Sequence, residues 1–169
     1  TQLTDELTST EQQAEALQAR IEEGRAALDR LSHEDRALAR ELTQAALDRI
    51  EGLNPQVNAF VAVDGEAALR DAAAVDELVA AGEDPGPLAG IPIGVKDLED
   101  AAGFVTSMGS STRAGDPPAA GDSILVSRLR AAGCVVVGKT NTPEFGWKGD
   151  TSNPTFGATR NPWELGHSA

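Results

Sequence analysis

Two short β-branched runs separated by a single helical stretch leave few architectures open to this chain. Ile91-Pro-Ile-Gly-Val95 reads as a strand with Pro92 near its start, and the three consecutive valines at 135–137 read as a second. Between them Asp122 is placed to cap a helix running through Ala132, and Gly133 stops it. Strand, helix, strand is the pattern of a sheet covered by helices, so the expected class is α/β. Neither run alternates apolar with polar residues, which predicts strands buried on both faces.

The N-terminal half is helical in pattern. In residues 1–31, Leu3, Leu7, Thr10, Ala14, Leu17, Ile21, Gly24, Leu28 and Leu31 recur at spacings of four and three, a heptad stripe that Thr10, Ala14 and Gly24 weaken. A helix lying on the protein's own surface is the plain expectation; a coil pairing two copies into a homodimer is the alternative. Ser32, with Asp35 three residues on, is placed to cap a second helix whose apolar face is Leu38, Leu42, Ala46, Ile50 and Leu53, ending at Asn54-Pro55. Residues 58–63 are extended. Asp64 then caps a third helix reaching Gly82, with Ala68, Ala72, Val75 and Val79 on its buried side. Glu83-Asp-Pro-Gly-Pro87 is a turn cluster, and residues 140–169 read as Asn-, Gly-, Pro- and Thr-rich loops. The division expected is an N-terminal helical extension, 1–31, ahead of one domain over 32–169.

Charge and composition exclude several functions. The net charge of −13, with no Lys/Arg cluster, argues against nucleic acid and against anionic membrane surfaces. No apolar run approaches the ~20 residues of a membrane span, and no signal-peptide core is visible. A cytoplasmic location is the expectation, with a trimmed leader left open because residue 1 is Thr. The single cysteine, Cys134, lies in the apolar run before Val135, so it is expected to be a buried, inert thiol.

Gly133-Cys-Val-Val-Val-Gly-Lys139-Thr140 matches a phosphate-binding loop letter for letter, but the context is wrong. Such a loop curls after a strand and opens into a helix. Here three valines occupy the positions that must curl, and Asn-Thr-Pro follows. Lys139 is read as the end of a strand. Ser110 and Ser111 lack a neighbouring base or a Gly-lined oxyanion pocket. His33 and His167 are read as solvent-facing, without the partners a Ser-His-Asp triad needs.

Lys96 ends the first strand amid apolar and small flanks. An ammonium in such surroundings must find a partner or lose its proton, and desolvation favours the neutral amine that a general base near neutrality requires. Strand alternation aims Lys96 and Asp97 at opposite faces. On spacing alone, a surface-directed structural lysine competes with a catalytic one.

Four segments carry a resemblance. Pro87-Leu-Ala-Gly-Ile-Pro-Ile-Gly-Val-Lys-Asp97, Thr106-Ser-Met-Gly-Ser110, Gly138-Lys-Thr-Asn-Thr-Pro-Glu-Phe145 and Asn153-Pro-Thr-Phe-Gly-Ala-Thr-Arg-Asn-Pro-Trp163 resemble, in order, segments of the amidase-signature serine hydrolases. The likeness runs from about residue 32 to 163. It implies helices packed on a mixed sheet, incomplete here, and hydrolysis of a carboxamide bond, with an ester or carbamate as further substrates. The chemistry implied is a serine–cis-serine–lysine triad working through an acyl-enzyme, without metal or organic cofactor. Only the lysine maps onto this chain, at Lys96. The family's Gly/Ser-rich loop is expected where the chain reads Gly166-His-Ser-Ala169, and Ser168 cannot be assigned as either serine. By the same resemblance Phe145, Gly146 and Trp147 line the acyl pocket, with core packing as the alternative; Met108 is a weaker candidate, and Trp163 is expected to pack. The expected partners are a small amide substrate and the remainder of the amidase domain. A non-catalytic binding subunit, a split half, or a component of an amidotransferase complex is the rival reading.

Overall fold

The computed structural model describes residues 38–169. The expected 1–31 helix, its boundary at residue 32, the Ser32 cap and His33 lie outside them. Helix α1 (Leu38–Val57) is followed by β1 (Phe60–Val63), α2 (Gly65–Ala81), β2 (Pro92–Lys96), α3 (Ile124–Ala131) and β3 (Val135–Thr140). These elements build one three-stranded mixed sheet in the order β1-β3-β2, with β2 parallel and β1 antiparallel to β3. The β2–α3–β3 crossover predicted from the sequence is thus present, within the α/β architecture.

The helix ends show which local signals decided. At α2, Asp64 accepts a hydrogen bond from Ala67 N at 2.9 Å, and Gly82 closes the helix in the left-handed conformation at φ 75°, both as expected. At α1 the expectation fails, because the helix continues through Pro55 to Val57. Near the end of a helix, proline removes one backbone donor without stopping the last turn. Asn58 supplies the stop, at φ 54°, a conformation asparagine tolerates. Asn54 then fixes the entry to β1, its Oδ1 accepting from Ala59 N and Phe60 N at 2.8 Å each. The first described turn of α1 is capped from outside, by Asp76 of α2, whose two carboxylate oxygens accept from Ala39 N at 3.0 Å and Arg40 N at 3.1 Å. At α3 the cap is Ser123, not Asp122. The Asp122 carboxylate instead accepts from Ala102 N at 2.7 Å and pairs with Arg130 at 3.2 Å.

One apolar cluster packs α1 and α2 on one face of the sheet through Ala39, Ala68, Ala72, Val135 and Val137. A second fills the other face with Val95, Ala101, Phe104, Val126 and Val136. Only β3 is buried on both faces. Of β2, Val95 alone is buried, because that strand is an edge of the sheet among the described residues. The 140–169 segment is less irregular than expected: β4 (Ser152–Asn153) pairs with β5 (Gly157–Ala158), and β6 (Arg160–Asn161) with β7 (Glu164–Ser168). Trp163 is 91% exposed at the β6–β7 turn, so the expected packing is absent. No described helix is long and apolar enough to cross a membrane.

Candidate active site

Two parallel strands, β2 and β3, end side by side, and ligands of open α/β sheets bind beyond such strand ends. Lys96 is the last residue of β2, in register with Thr140. Its carbonyl accepts from Leu98 N at 2.7 Å and Glu99 N at 3.0 Å, turning the chain sharply away, while Asp97 N donates to Thr140 O at 2.9 Å. The Lys96 side chain is exposed, and among the described residues it makes no hydrogen bond or ion pair. The desolvated setting expected from its apolar flanks is therefore not found. Gly94, Ile91 and Lys96 itself lie open along the edge strand, so apolar neighbours in sequence do not enclose it.

Asp97 points the other way, as alternation requires, and is 1% exposed. Its carboxylate lies 3.2 Å from Lys139 Nζ, and Lys139 is itself fully buried. The ammonium also donates to Glu99 O and Thr106 Oγ1, both at 2.8 Å, so its donors are used up. A buried pair satisfied in this way is costly to break: removing one partner typically costs roughly 3–5 kcal/mol. The sequence pattern places Lys139 in a strand and suggests no further role for it. Its burial depends on a bulge: Ile93 pairs with Val136 but Gly94 with Gly138, so Val137 is an extra residue in β3. Strict alternation from Val135, with no bulge, would put Lys139 with Val135 and Val137 on the α1–α2 face. With the bulge, Lys139 shares a face with Val95, above Asp97. The same extended run from 135 to 140 removes the phosphate-loop reading, since no curl exists to cradle a phosphate.

Asp97 also organises the loop that carries Met108. Ser107 N donates to its carboxylate at 3.1 Å, the Ser107 hydroxyl donates to Oδ2, and Gly109 N donates at 3.4 Å. Met108, between them, is held at φ 54°. Its carbonyl accepts from Phe145 N at 2.8 Å, and Phe145 is likewise left-handed at φ 51°. For residues other than glycine such conformations cost of order 1–3 kcal/mol each and concentrate at functional sites. Gly146 abuts Leu98: a Cβ there would lie 2.9 Å from Leu98 Cδ1. The turn after Lys96, the Met108 loop and the Phe145–Trp147 segment therefore meet. Phe145 is 55% and Trp147 75% exposed, which excludes core packing for either within this chain. A concavity of about 330 Å³ opens beside Trp147, lined in part by Glu144, Lys148, Ser152 and Asn153.

An amide and hydroxyl network fixes these loops from behind. Asn153 Nδ2 donates to Asn141 Oδ1 at 2.7 Å and Thr142 O at 2.8 Å, while its Oδ1 accepts from Thr155 N and Phe156 N. Thr159 Oγ1 donates to Asn58 O at 2.6 Å. Asn141, Asn153 and Thr159 lie in segments that carry the resemblance, but the 141–153 and 58–159 pairs join positions far apart in sequence, and no local signal marks them. Ser110 is buried against Thr112, Ser111 is exposed, and His167 is solvent-facing as expected. No cluster of three metal-ligating side chains occurs among the described residues.

The family model for amidases matches residues 41–169. The chain belongs to the amidase family. Over 129 residues it is 45% identical to an acylamidase of Rhodococcus erythropolis, covering 76% of this chain and 27% of that protein. Over 127 residues it is 51% identical to a glutamyl-tRNA(Gln) amidotransferase subunit of Salinispora arenicola, covering 75% and 26%. Among solved structures, the peptide amidase of Stenotrophomonas maltophilia superimposes with a TM-score of 0.70 at 37% identity, covering 82% of this chain and 29% of that one. The chain thus spans little more than a quarter of the length of these relatives. The fold and the amidase-signature resemblance read from the four motifs are those of the family.

Proposed function

We propose that this chain supplies the lysine base of an amide hydrolase, acting when joined to the rest of an amidase domain. The observation that carries the reading is the separation of roles between two lysines at the same strand ends. Lys139 is buried and fully engaged by Asp97, Glu99 O and Thr106, whereas Lys96 is presented at the surface with no partner among the described residues. Of the two, only Lys96 is accessible to a reacting group. The turn that follows Lys96 meets, through Leu98 and Gly146, the segment in which the strained Phe145 is bonded to the strained Met108, and backbone strain of this kind concentrates at functional sites.

In this reading a serine hydroxyl attacks the amide carbonyl, and its proton passes through a second, bridging serine to the Lys96 amine. The tetrahedral intermediate collapses, the leaving amine takes up a proton, and an acyl-enzyme remains. Water then adds to the acyl carbon and releases the acid. Neither serine is assigned to this chain: Ser107 and Ser110 are buried in hydrogen bonds, and the exposed Ser168 hydroxyl donates to the Ala169 carbonyl. Phe145, Gly146, Trp147 and, to a lesser degree, Met108 border the acyl group. Lys96 and these residues require neither metal nor organic cofactor for this chemistry.

A second reading is favoured by the 51% identity to a component of a glutamyl-tRNA(Gln) amidotransferase. There the same lysine serves in a complex that moves ammonia onto an acyl acceptor. The test is to incubate the full-length protein, alone, with primary amides and anilides, with and without hydroxylamine, and to follow acid, hydroxamate and ammonia. Acid release together with hydroxamate, and an acyl adduct by intact-protein mass, support the hydrolase. Turnover that appears only with added partner proteins supports the transfer complex. No acyl adduct under either condition contradicts both.

A further inference from the structure

We infer that Asp97 is a positioning residue for the reaction, holding Lys96 and the Met108 loop in one fixed arrangement; this rests on the reading of Lys96 as the base. Asp97 is joined to Lys96 by a peptide bond but turned to the opposite face, buried where Lys96 is exposed. Its carboxylate gathers two other segments of chain, β3 and the Met108 loop. Lys139 reaches it from β3 at 3.2 Å, Ser107 donates through both N and Oγ, and Gly109 N donates at 3.4 Å. Gly109 N donates to Ser107 Oγ as well, at 3.1 Å.

The two residues flanking Met108 are therefore both held by Asp97. A non-glycine residue at φ 54° persists only where its surroundings over-determine it, and these contacts are what over-determines Met108. Met108 O in turn holds Phe145 N. From one carboxylate, the contacts reach Met108 and, through its carbonyl, the Phe145 backbone that leads into Gly146 and Trp147, and the peptide bond reaches Lys96. Lys139 neutralises the carboxylate so that it can stay buried, and the β3 bulge places Lys139 there.

The consequence is kinetic. Loosening Asp97 misplaces the base relative to the acyl carbon, and a misplacement near 1 Å can cost about 10²-fold in rate. In the full-length enzyme, Asp97→Asn should lower kcat by ~10–100-fold with KM changed only slightly, at a temperature where a melt shows the variant folded. Ser107→Ala, which keeps the ion pair and removes one donor, should show a smaller loss in the same direction. Should Asp97→Asn not fold, Ser107→Ala decides the matter. Arg130→Ala is the control: it cuts the 2.6 Å pair to Asp71 and the 3.2 Å pair to Asp122, away from the site, and should lower stability while leaving kcat unchanged. Folded Asp97→Asn and Ser107→Ala enzymes with wild-type kcat overturn the inference, as does an equal kcat loss in the control. Lys96→Ala is assayed beside them. If it is inactive while the Asp97 and Ser107 variants are fully active, only the positioning role fails. If it is active, the base assignment fails and this inference with it.

Discussion

Gly138 and Ala62 approach so closely that a Cβ on Gly138 would lie 2.2 Å from the Ala62 carbonyl oxygen. The contact sits where β3 gains its extra residue and where Lys139 is turned toward Asp97. Gly138→Ala should therefore force β1 away from β3, with an overpacking cost of roughly 1–3 kcal/mol. A denaturant melt should show a lower midpoint, and proteolysis should open the Met108 loop earlier. An unchanged midpoint would mean that the bulge tolerates a side chain.

Helix α1 depends on a cap from another helix. Because Asp76 accepts from both Ala39 N and Arg40 N, Asp76→Ala should destabilise by about 1 kcal/mol, within the roughly 0.5–2 kcal/mol range of capping losses. Asp76→Asn, which keeps an acceptor, should lose less. Thermal melts of the two variants check this, and equal melting for both and wild type would remove the cap from the account.

Burial pushes the Cys134 thiol up from its ordinary range, through desolvation of the thiolate. Since the thiolate is the nucleophile, an aromatic disulfide reagent at pH 8 should label Cys134 only as fast as the structure opens, and rapidly in denaturant. The sign for stability follows. As pH rises past about 8.5, the unfolded thiol ionises before the folded one, so stability falls there and is fully present below. Fast labelling of the native protein would contradict the buried assignment.

What can be read from the sequence is whatever is local. The α2 caps at Asp64 and Gly82, the β2–α3–β3 crossover and the opposed faces of Lys96 and Asp97 follow from neighbours within a few residues. Pro55 is a misleading end for α1, because the stop lies in Asn58, whose left-handed conformation no residue pattern announces. The cap of α1 by Asp76, the pairing of Lys139 with Asp97 and the Asn141–Asn153 network join residues 12 to 42 positions apart, and only the folded chain brings them together. The bulge in β3 is the sharpest case. A strict two-residue period puts Lys139 on the wrong face, and one extra residue reverses it.

The site is legible unevenly. Lys96 emerges from spacing only as one of two readings, and from the resemblance as the base. Its exposure runs against its flanks, since apolar neighbours along an edge strand do not bury a side chain. Trp163 suggests packing by its residue type and is solvent-exposed. The family pattern points to Met108 and Phe145, but their left-handed backbones and the hydrogen bond joining them are visible only in three dimensions.

The proposed role of Lys96 as proton acceptor is tested most directly by Lys96→Ala in the full-length protein, assayed on an anilide and a primary amide. Lys96 is exposed and unpaired among the described residues, so the substitution should leave the thermal melt within a few degrees of wild type. Loss of a general base typically costs ~10²–10⁴ in rate, and more where several residues act as a unit. In Lys96→Ala, kcat should fall by at least ~10²-fold with the fold intact. A folded Lys96→Ala enzyme that turns over at the wild-type rate would contradict that role.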